Sequence, residues 1–197
     1  RDIVILMRGV KGTGAIYQKV LSDCDIPCYI DESDGYFDTI EIEVFLNLLK
    51  VIDNSRQDVP LISVLYSSIF GFTADELAEI RTINKSGTYY SAFEAYLLSG
   101  PQTALQEKCR KAKESIDLWI SYASAVPLSD FLWKLMWDTG YYAYVGGLPS
   151  GKQRQANLRT LADRAAAFST NRTGSIYEFL RYIDMLRERG VPTGQPK

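Results

Sequence analysis

The sequence of 197 residues predicts a mainly α fold in which a helical domain follows a small βαβ unit. Three observations support this prediction. Apolar residues recur every three or four positions along most of the chain after residue 38, which is the spacing of amphipathic helices. Capping signals precede several of these segments. The two strand-like apolar runs both lie within the first 30 residues.

The βαβ unit is predicted from residues 2–30. Residues 2–7 (DIVILM) form an almost continuous apolar run rich in β-branched side chains, which is typical of a strand buried on both faces of a parallel sheet. A glycine-rich loop, a helix over 15–22 and a second strand over 26–30 follow. A strand, a helix and a strand in this order predict a right-handed crossover.

The loop between the first strand and the helix has the glycine spacing of a phosphate-binding loop. Gly9 and Gly14 have the spacing of the GxxxxGK[ST] motif, and they lie between a strand and a helix. Ala15 and Ile16, however, replace the lysine that binds the β- and γ-phosphates and the hydroxyl residue that binds Mg²⁺. We therefore expect no measurable ATP binding or hydrolysis by residues 1–197 alone.

Residues 34–81 predict three helices in succession. Asp38 is the expected N-cap of the first helix, and Glu41 is placed to complete a capping box. Pro60 lies in the first turn of the second helix, where its missing N–H costs nothing. The sequence TADE from Thr73 is a capping box for the third helix, and a glycine at position 71 is expected to end the second. The core face of the first helix is expected to contain Ile42, Phe45, Leu46, Leu49 and Ile52.

Further helices are predicted along the rest of the chain. Their expected bounds are 91–98, 102–124, 128–138, 150–169 and 175–189, the last beginning with a capping box at Ser175. Between the third and fourth of these helices, Tyr141, Tyr142 and Tyr144 form an aromatic cluster. Such a cluster either stacks on nucleobases or packs in a core.

Composition and charge limit the functions that the chain can have. The absence of histidine excludes histidine general bases and histidine-containing metal sites, and three cysteines cannot form a four-cysteine zinc site. The odd cysteine count, with no secretory signal and no long apolar run, favours reduced thiols in a cytosolic protein. Residues 1–100 contain 8 Lys and Arg against 15 Asp and Glu, whereas residues 101–197 contain 14 against 9. The second half is thus the better candidate for contact with a phosphate backbone.

Two long stretches of sequence resemble one helicase family. They are NSRQDVPLISVLYSSIFGFTADELAEIR (residues 54–81) and TGYYAYVGGLPSGKQRQANLRTLADRAAAF (residues 139–168). The order of short motifs within them resembles that in the AddA (RexA) subunits of bacterial helicase–nucleases, which are UvrD-like superfamily-1 DNA helicases. The arginine-containing RGIG turn of the wider family is replaced here by IFGF at 69–72, so the resemblance does not support a DNA contact at this turn.

The resemblance implies a division of the chain into two parts. Residues 1–95 correspond to part of RecA-like motor subdomain 2A, and residues 96–197 to most of helical subdomain 2B. Leu6 and Met7 lead into Arg8 as in family motif IV, so the resemblance implies that Arg8 reaches the γ-phosphate of ATP. On the sequence alone, Arg8 could instead be a surface arginine at the end of a strand. Met7 departs from the adenine-stacking tyrosine of the family. A chain that opens at Arg1 within a strand pattern also implies a longer parent protein.

The resemblance further implies DNA contacts and partners. The candidate DNA-binding residues are Lys152, Arg154, Arg159 and Arg164, although Arg154 and Asn157 could instead hold helix ends together. The parent would be an ATP- and Mg²⁺-dependent helicase and exonuclease that processes DNA double-strand ends for recombinational repair. It would act in the bacterial cytoplasm, away from membranes, with an AddB-type partner subunit. No catalytic or metal-binding residue is expected in this chain itself.

The sequence is also compatible with two other functions. The chain could be a helical protein–protein interaction module without a helicase parent, which a GxxxxGK[ST] motif upstream in the reading frame would reject. It could also belong to a UvrD-like repair helicase without nuclease activity. The presence or absence of a nuclease domain downstream distinguishes that helicase from a helicase–nuclease.

Overall fold

Helices dominate the part of the chain that the computed structural model describes, which comprises residues 3–7, 13–26, 28, 36–171 and 174–188. None of these residues lies in a strand, in agreement with the predicted mainly α fold. A short 3₁₀ turn, Tyr36–Asp38, follows the first helix. The helices are α1 (Gly14–Asp23), α2 (Ile40–Asp53), α3 (Asp58–Tyr66), α4 (Ala74–Ile83), α5 (Tyr89–Ser99), α6 (Ala104–Ala123), α7 (Leu128–Asp138), α8 (Tyr141–Gly146), α9 (Gly151–Asn171) and α10 (Ile176–Glu188).

The predicted βαβ unit is described only in part. Helix α1 lies where the sequence predicts the connecting helix. Residues 3–7 have no regular secondary structure, and the side chains of Ile3 and Leu6 are largely exposed. Most of the predicted second strand, and the loop that contains Arg8, lie outside the described residues. The strand pairing and the right-handed crossover therefore stay predictions.

Helix α2 forms the centre of the core. All five of its predicted core residues are buried, as are Leu48 and Val51 on the other side of the helix. This wide apolar surface is possible because α2 packs against α3 and α6 as well as α9 and α10. A helix that is apolar over most of its circumference is expected where neighbours surround it.

The predicted helix starts are confirmed in α4 and wrong in α2. Thr73 and Glu76 form both bonds of a capping box: the Thr73 Oγ1 accepts from the Glu76 N–H at 3.2 Å, and the Glu76 Oε2 accepts from the Thr73 N–H at 2.8 Å. Helix α2 instead begins after Thr39, with Asp38 in the preceding 3₁₀ turn. Glu41 makes no capping box because its carboxylate is bound to side chains of α9.

The second predicted helix ends earlier than expected. Helix α3 stops at Tyr66, where the Ser67 hydroxyl donates to the carbonyl oxygen of Val64 and accepts from the N–H of Ile69. Gly71 lies beyond this turn with a φ of +64°, a conformation that favours glycine. The glycine therefore shapes the approach to α4 and does not end α3.

The predicted boundary between residues 95 and 96 falls inside helix α5. A single cluster of buried side chains extends from Tyr36 to Ile183 among the described residues, so helices from both parts share one core. The assignment of the two parts to subdomains 2A and 2B stays a prediction, since this core does not separate them.

Helices α8 and α9 meet at unusually short range. A Cβ at Gly151 would overlap the carbonyl oxygen of Gly146, and a Cβ at Gly146 would overlap the side-chain amide of Gln155. At Gly151 the overlapping atom belongs to the backbone, so only glycine permits this approach. The contact fixes the first turns of α9, which carry most of the predicted DNA-binding residues.

Candidate nucleic-acid interface

Helix α9 contains all four predicted DNA-binding residues, but they do not share one surface. Lys152 and Arg159 are exposed and lie seven residues apart, about two helical turns, so they project from the same side. Arg154 and Arg164 are half-buried and contact other parts of the protein. Helical geometry accounts for this division, because it turns positions 154 and 164 away from positions 152 and 159.

Arg154 forms an ion pair with a buried carboxylate of α2. Its guanidinium Nη1 lies 2.6 Å from the Oε2 of Glu41, and its Nε donates to the carbonyl oxygen of Pro149 at 3.0 Å. Only 2% of Glu41 is exposed. The other carboxylate oxygen, Oε1, accepts from the Nδ2 of Asn157 at 2.7 Å. Arg154 and Asn157 thus hold helix ends together, which is the second interpretation that the sequence allows.

Two tyrosines complete this polar network, which comprises Tyr36, Glu41, Tyr141, Arg154 and Asn157. The Tyr36 hydroxyl donates to the backbone oxygen of Asn157 at 2.7 Å, and the Tyr141 hydroxyl donates to the backbone oxygen of Glu41 at 3.3 Å. Burial raises the pKa of both phenols well above their ordinary value, so both stay protonated donors. The network joins the 3₁₀ turn and helices α2, α8 and α9.

Arg164 packs on the aromatic pair that precedes α2. Its guanidinium carbon lies 5.6 Å from the ring centre of Tyr36 and 5.7 Å from that of Phe37, which is cation–π range. Arg187 of α10 approaches the Phe37 ring at 5.9 Å and donates to the Phe37 carbonyl oxygen. Arg164 therefore supports the fold from within and is not part of an open basic face.

The predicted tyrosine cluster divides between core and surface. Tyr141 is buried and stacks on Phe45 with ring centres 6.2 Å apart. The Tyr142 ring contacts two tryptophans of α7, with ring centres 5.8 Å from Trp133 and 5.5 Å from Trp137. These tryptophans are not among the candidates predicted from the sequence, although their spacing of four residues places them on one side of a helix. Tyr144 is half-exposed at the protein surface.

The predicted nucleotide contact cannot be placed in this structure, because Arg8 lies outside the described residues. Among the residues that are described, no group of three or more acidic or cysteine side chains could hold a metal ion. Within the same ranges, no helix is both long and apolar enough to span a bilayer.

Comparison with known proteins places this architecture in a family. Residues 1–188 match the UvrD-like helicase C-terminal domain. The A subunit of the ATP-dependent helicase/nuclease of Alkaliphilus metalliredigens is 44% identical over 95% of the chain, and that of Alkaliphilus oremlandii is 42% identical over 100% of the chain. The protein of the same name from Bacillus velezensis is 41% identical over 98% of the chain.

The match covers nearly all of this chain but only a small part of each relative. The chain spans 16% of the length of each of these three proteins. The matched region includes the whole polar network and both exposed cations of α9. The chain therefore belongs to the family of UvrD-like helicase C-terminal domains.

Proposed function

We propose that this chain is part of the A subunit of a bacterial ATP-dependent helicase/nuclease, in which its helices form a DNA-contacting unit beside the motor. The observation that carries the proposal is the 41–44% identity to proteins of that name over at least 95% of the chain. All three names include the nuclease, which favours a helicase–nuclease over a repair helicase without one.

The parent protein would use ATP and Mg²⁺ to separate DNA strands and would degrade DNA from double-strand ends during recombinational repair. It would act in the bacterial cytoplasm with an AddB-type partner subunit. Residues 1–95 would contribute to motor subdomain 2A, and residues 96–197 to subdomain 2B. The polar network supports a rigid connection between the two, because its hydrogen bonds join residues that are at least 100 positions apart in the sequence.

Lys152 and Arg159 are the DNA-contacting cations in this proposal. Both are exposed, and neither has an ion-pair partner among the described residues, so both are available to phosphates. Arg154 and Arg164 contribute indirectly, by fixing α9 against the rest of the protein. Two neutralised phosphates give a weak, salt-sensitive interaction with duplex DNA, with a slope of log K against log salt of roughly −1.8.

The DNA contact is tested by the double variant Lys152→Gln, Arg159→Gln in the intact parent protein. We expect weaker DNA binding at low salt and a shallower salt dependence, because two phosphates lose their cations. The matched control is Lys111→Gln, which removes a largely exposed cation from α6. An unchanged salt slope in the double variant would contradict the assignment.

Arg8 is the proposed γ-phosphate contact of the parent protein. A guanidinium that stabilises charge on a transferring phosphoryl group acts mainly in the transition state. Arg8→Ala should therefore reduce DNA-stimulated ATPase turnover of the intact parent protein by roughly 10³ or more, with a much smaller loss of nucleotide affinity. Arg8→Lys should rescue turnover only partly, because lysine lacks the planar fork. Turnover within a few-fold of wild type in Arg8→Ala would reject the motif IV assignment.

A further inference from the structure

A partly exposed aromatic patch lies on helices α7 and α8. It comprises Trp133, Trp137 and Tyr142, and the Tyr142 ring centre lies 5.8 Å from that of Trp133 and 5.5 Å from that of Trp137. Trp137 is 62% exposed, whereas the third tryptophan of the chain, Trp119, is 5% exposed. Tryptophan side chains are highly buried on average, and exposed aromatic clusters mark binding surfaces. Trp133 and Tyr142 pack partly against the core, so they hold the patch rigid.

The aromatic patch adjoins the exposed basic side of α9. Lys152, Gln155 and Arg159 follow a spacing of three and four residues and therefore form one stripe along this helix. The Gln155 side-chain amide donates to the backbone oxygen of Tyr142 at 3.0 Å, which places the stripe next to the patch. The two cations are separated along the helix axis by roughly 10 Å. Asp163, one turn beyond Arg159, ends the basic stripe.

We propose that the aromatic patch and the basic stripe together form a binding site for single-stranded nucleic acid. Unpaired bases stack on Trp137 and Tyr142, while Lys152 and Arg159 bind the phosphates of the same strand. This inference deepens the DNA contact proposed above and rests on it, since it uses the same two cations. It adds the aromatic residues to the site and specifies that the bound nucleic acid is single-stranded.

The geometry favours a single strand over a duplex. Aromatic side chains need the faces of bases, and in a duplex these faces are covered by stacking except at its ends. Phosphate contacts alone would explain Lys152 and Arg159 but would leave the tryptophan exposed to water. An apolar protein partner would cover the rings but would gain little from the two cations beside them.

The test is a fluorescence titration of the 197-residue chain with a 12-nucleotide oligothymidine. We expect quenching of tryptophan emission, because Trp137 stacks on bases whereas Trp119 is shielded in the core. Trp137→Ala should remove most of the quenching and weaken binding at least about fivefold. Trp137→Phe should keep most of the affinity, since phenylalanine still offers a stacking face. The salt slope should be roughly −1.4, as expected for two phosphates of a single strand.

Tyr177→Ala is the matched control, because it removes a 54% exposed aromatic side chain from α10, outside the patch. It should leave oligothymidine affinity unchanged. Equal affinity of wild type and Trp137→Ala would overturn the stacking site. If Lys152→Gln and Arg159→Gln still weakened binding in that case, the proposed DNA contact would stand as a purely electrostatic one. No binding of wild type to either single-stranded or duplex DNA would overturn both proposals.

A third result would also overturn the stacking site. If Trp137→Ala left oligothymidine affinity intact but weakened association of the intact parent protein with its partner subunit, the patch would be a protein interface. The Arg8 test of the parent ATPase is independent of all these outcomes, since Arg8 is remote in sequence from α7–α9.

Discussion

Removing Arg154 should destabilise the fold far more than removing its exposed neighbour Arg159 on the same helix. Arg154→Ala leaves the Glu41 carboxylate, whose side chain is 3% exposed, with Asn157 as the remaining donor among the described contacts. Breaking a buried pair in this way costs about 3–5 kcal/mol. For a domain of this length, that corresponds to a decrease in melting temperature of roughly 6–20 °C. Arg159→Ala, the matched control, should change the free energy of unfolding by less than about 0.5 kcal/mol.

Glu41→Gln tests how much of this stability depends on the charge of the Glu41 carboxylate, because it removes the charge but keeps the length of the side chain. The amide oxygen of glutamine can still accept from Asn157, and the Arg154 side chain, which is 26% exposed, can turn towards water. This variant should therefore lose only about 1 kcal/mol. In the Glu41→Gln background, Arg154→Ala should cost at least about 2 kcal/mol less than in the wild type, because no buried charge is left unpaired.

The assay is urea unfolding of the four proteins of this cycle, followed by far-UV circular dichroism at constant pH and salt. The control variant is measured in parallel. If Arg154→Ala and Arg159→Ala unfolded at the same urea concentration, the ion pair would contribute no stability and Arg154 would be free for another role. Additive effects of Glu41→Gln and Arg154→Ala would likewise refute a direct interaction.

Three further predictions concern other parts of the fold. A hydrogen bond from Lys108 is the largest of the effects that hold the pKa of Glu76 below its usual range. The pKa of Glu76 is thus lower in the folded than in the unfolded state. The pair therefore stabilises the protein above about pH 4.3, and this contribution is lost as the pH falls through the folded-state pKa. In Glu76→Gln, the free energy of unfolding should depend less on pH between about pH 3 and 6. Gly151→Ala should cost about 1–3 kcal/mol in thermal unfolding, because its Cβ would overlap the Gly146 carbonyl. Burial raises the pKa of Cys109 to about 12, so its alkylation by iodoacetamide at about pH 8 should be slow until the protein unfolds.

Two of these predictions have an internal control. Gly147→Ala should be tolerated, because its Cβ would meet the nearest atom at 3.5 Å and the backbone is not in the left-handed region. Cys24 is exposed and should be alkylated readily in the folded protein. Equal alkylation rates for Cys24 and Cys109, or equal melting temperatures for the two glycine variants, would contradict this packing.

The mainly α fold, the core face of α2 and the family were all accessible from the sequence. Helical spacing identifies which side of a helix is apolar, and an apolar side must be buried wherever the helix packs. The capping box at Thr73 was equally accessible, because both of its hydrogen bonds join residues three positions apart. These features are local, so neighbouring residues in the sequence suffice to specify them.

Glu41 shows what the sequence alone could not decide. The sequence predicts the same capping role for it as for Glu76, yet the helix begins one residue later, after Thr39, and the Glu41 carboxylate binds Arg154 and Asn157. A local cap contributes about 1 kcal/mol, which a buried carboxylate exceeds when it gains one cation and one amide donor. Those donors are 113 and 116 residues away. Only the packing of α9 against α2 brings them within reach. That packing depends on side chains from many helices at once, so it cannot be predicted from a local sequence pattern.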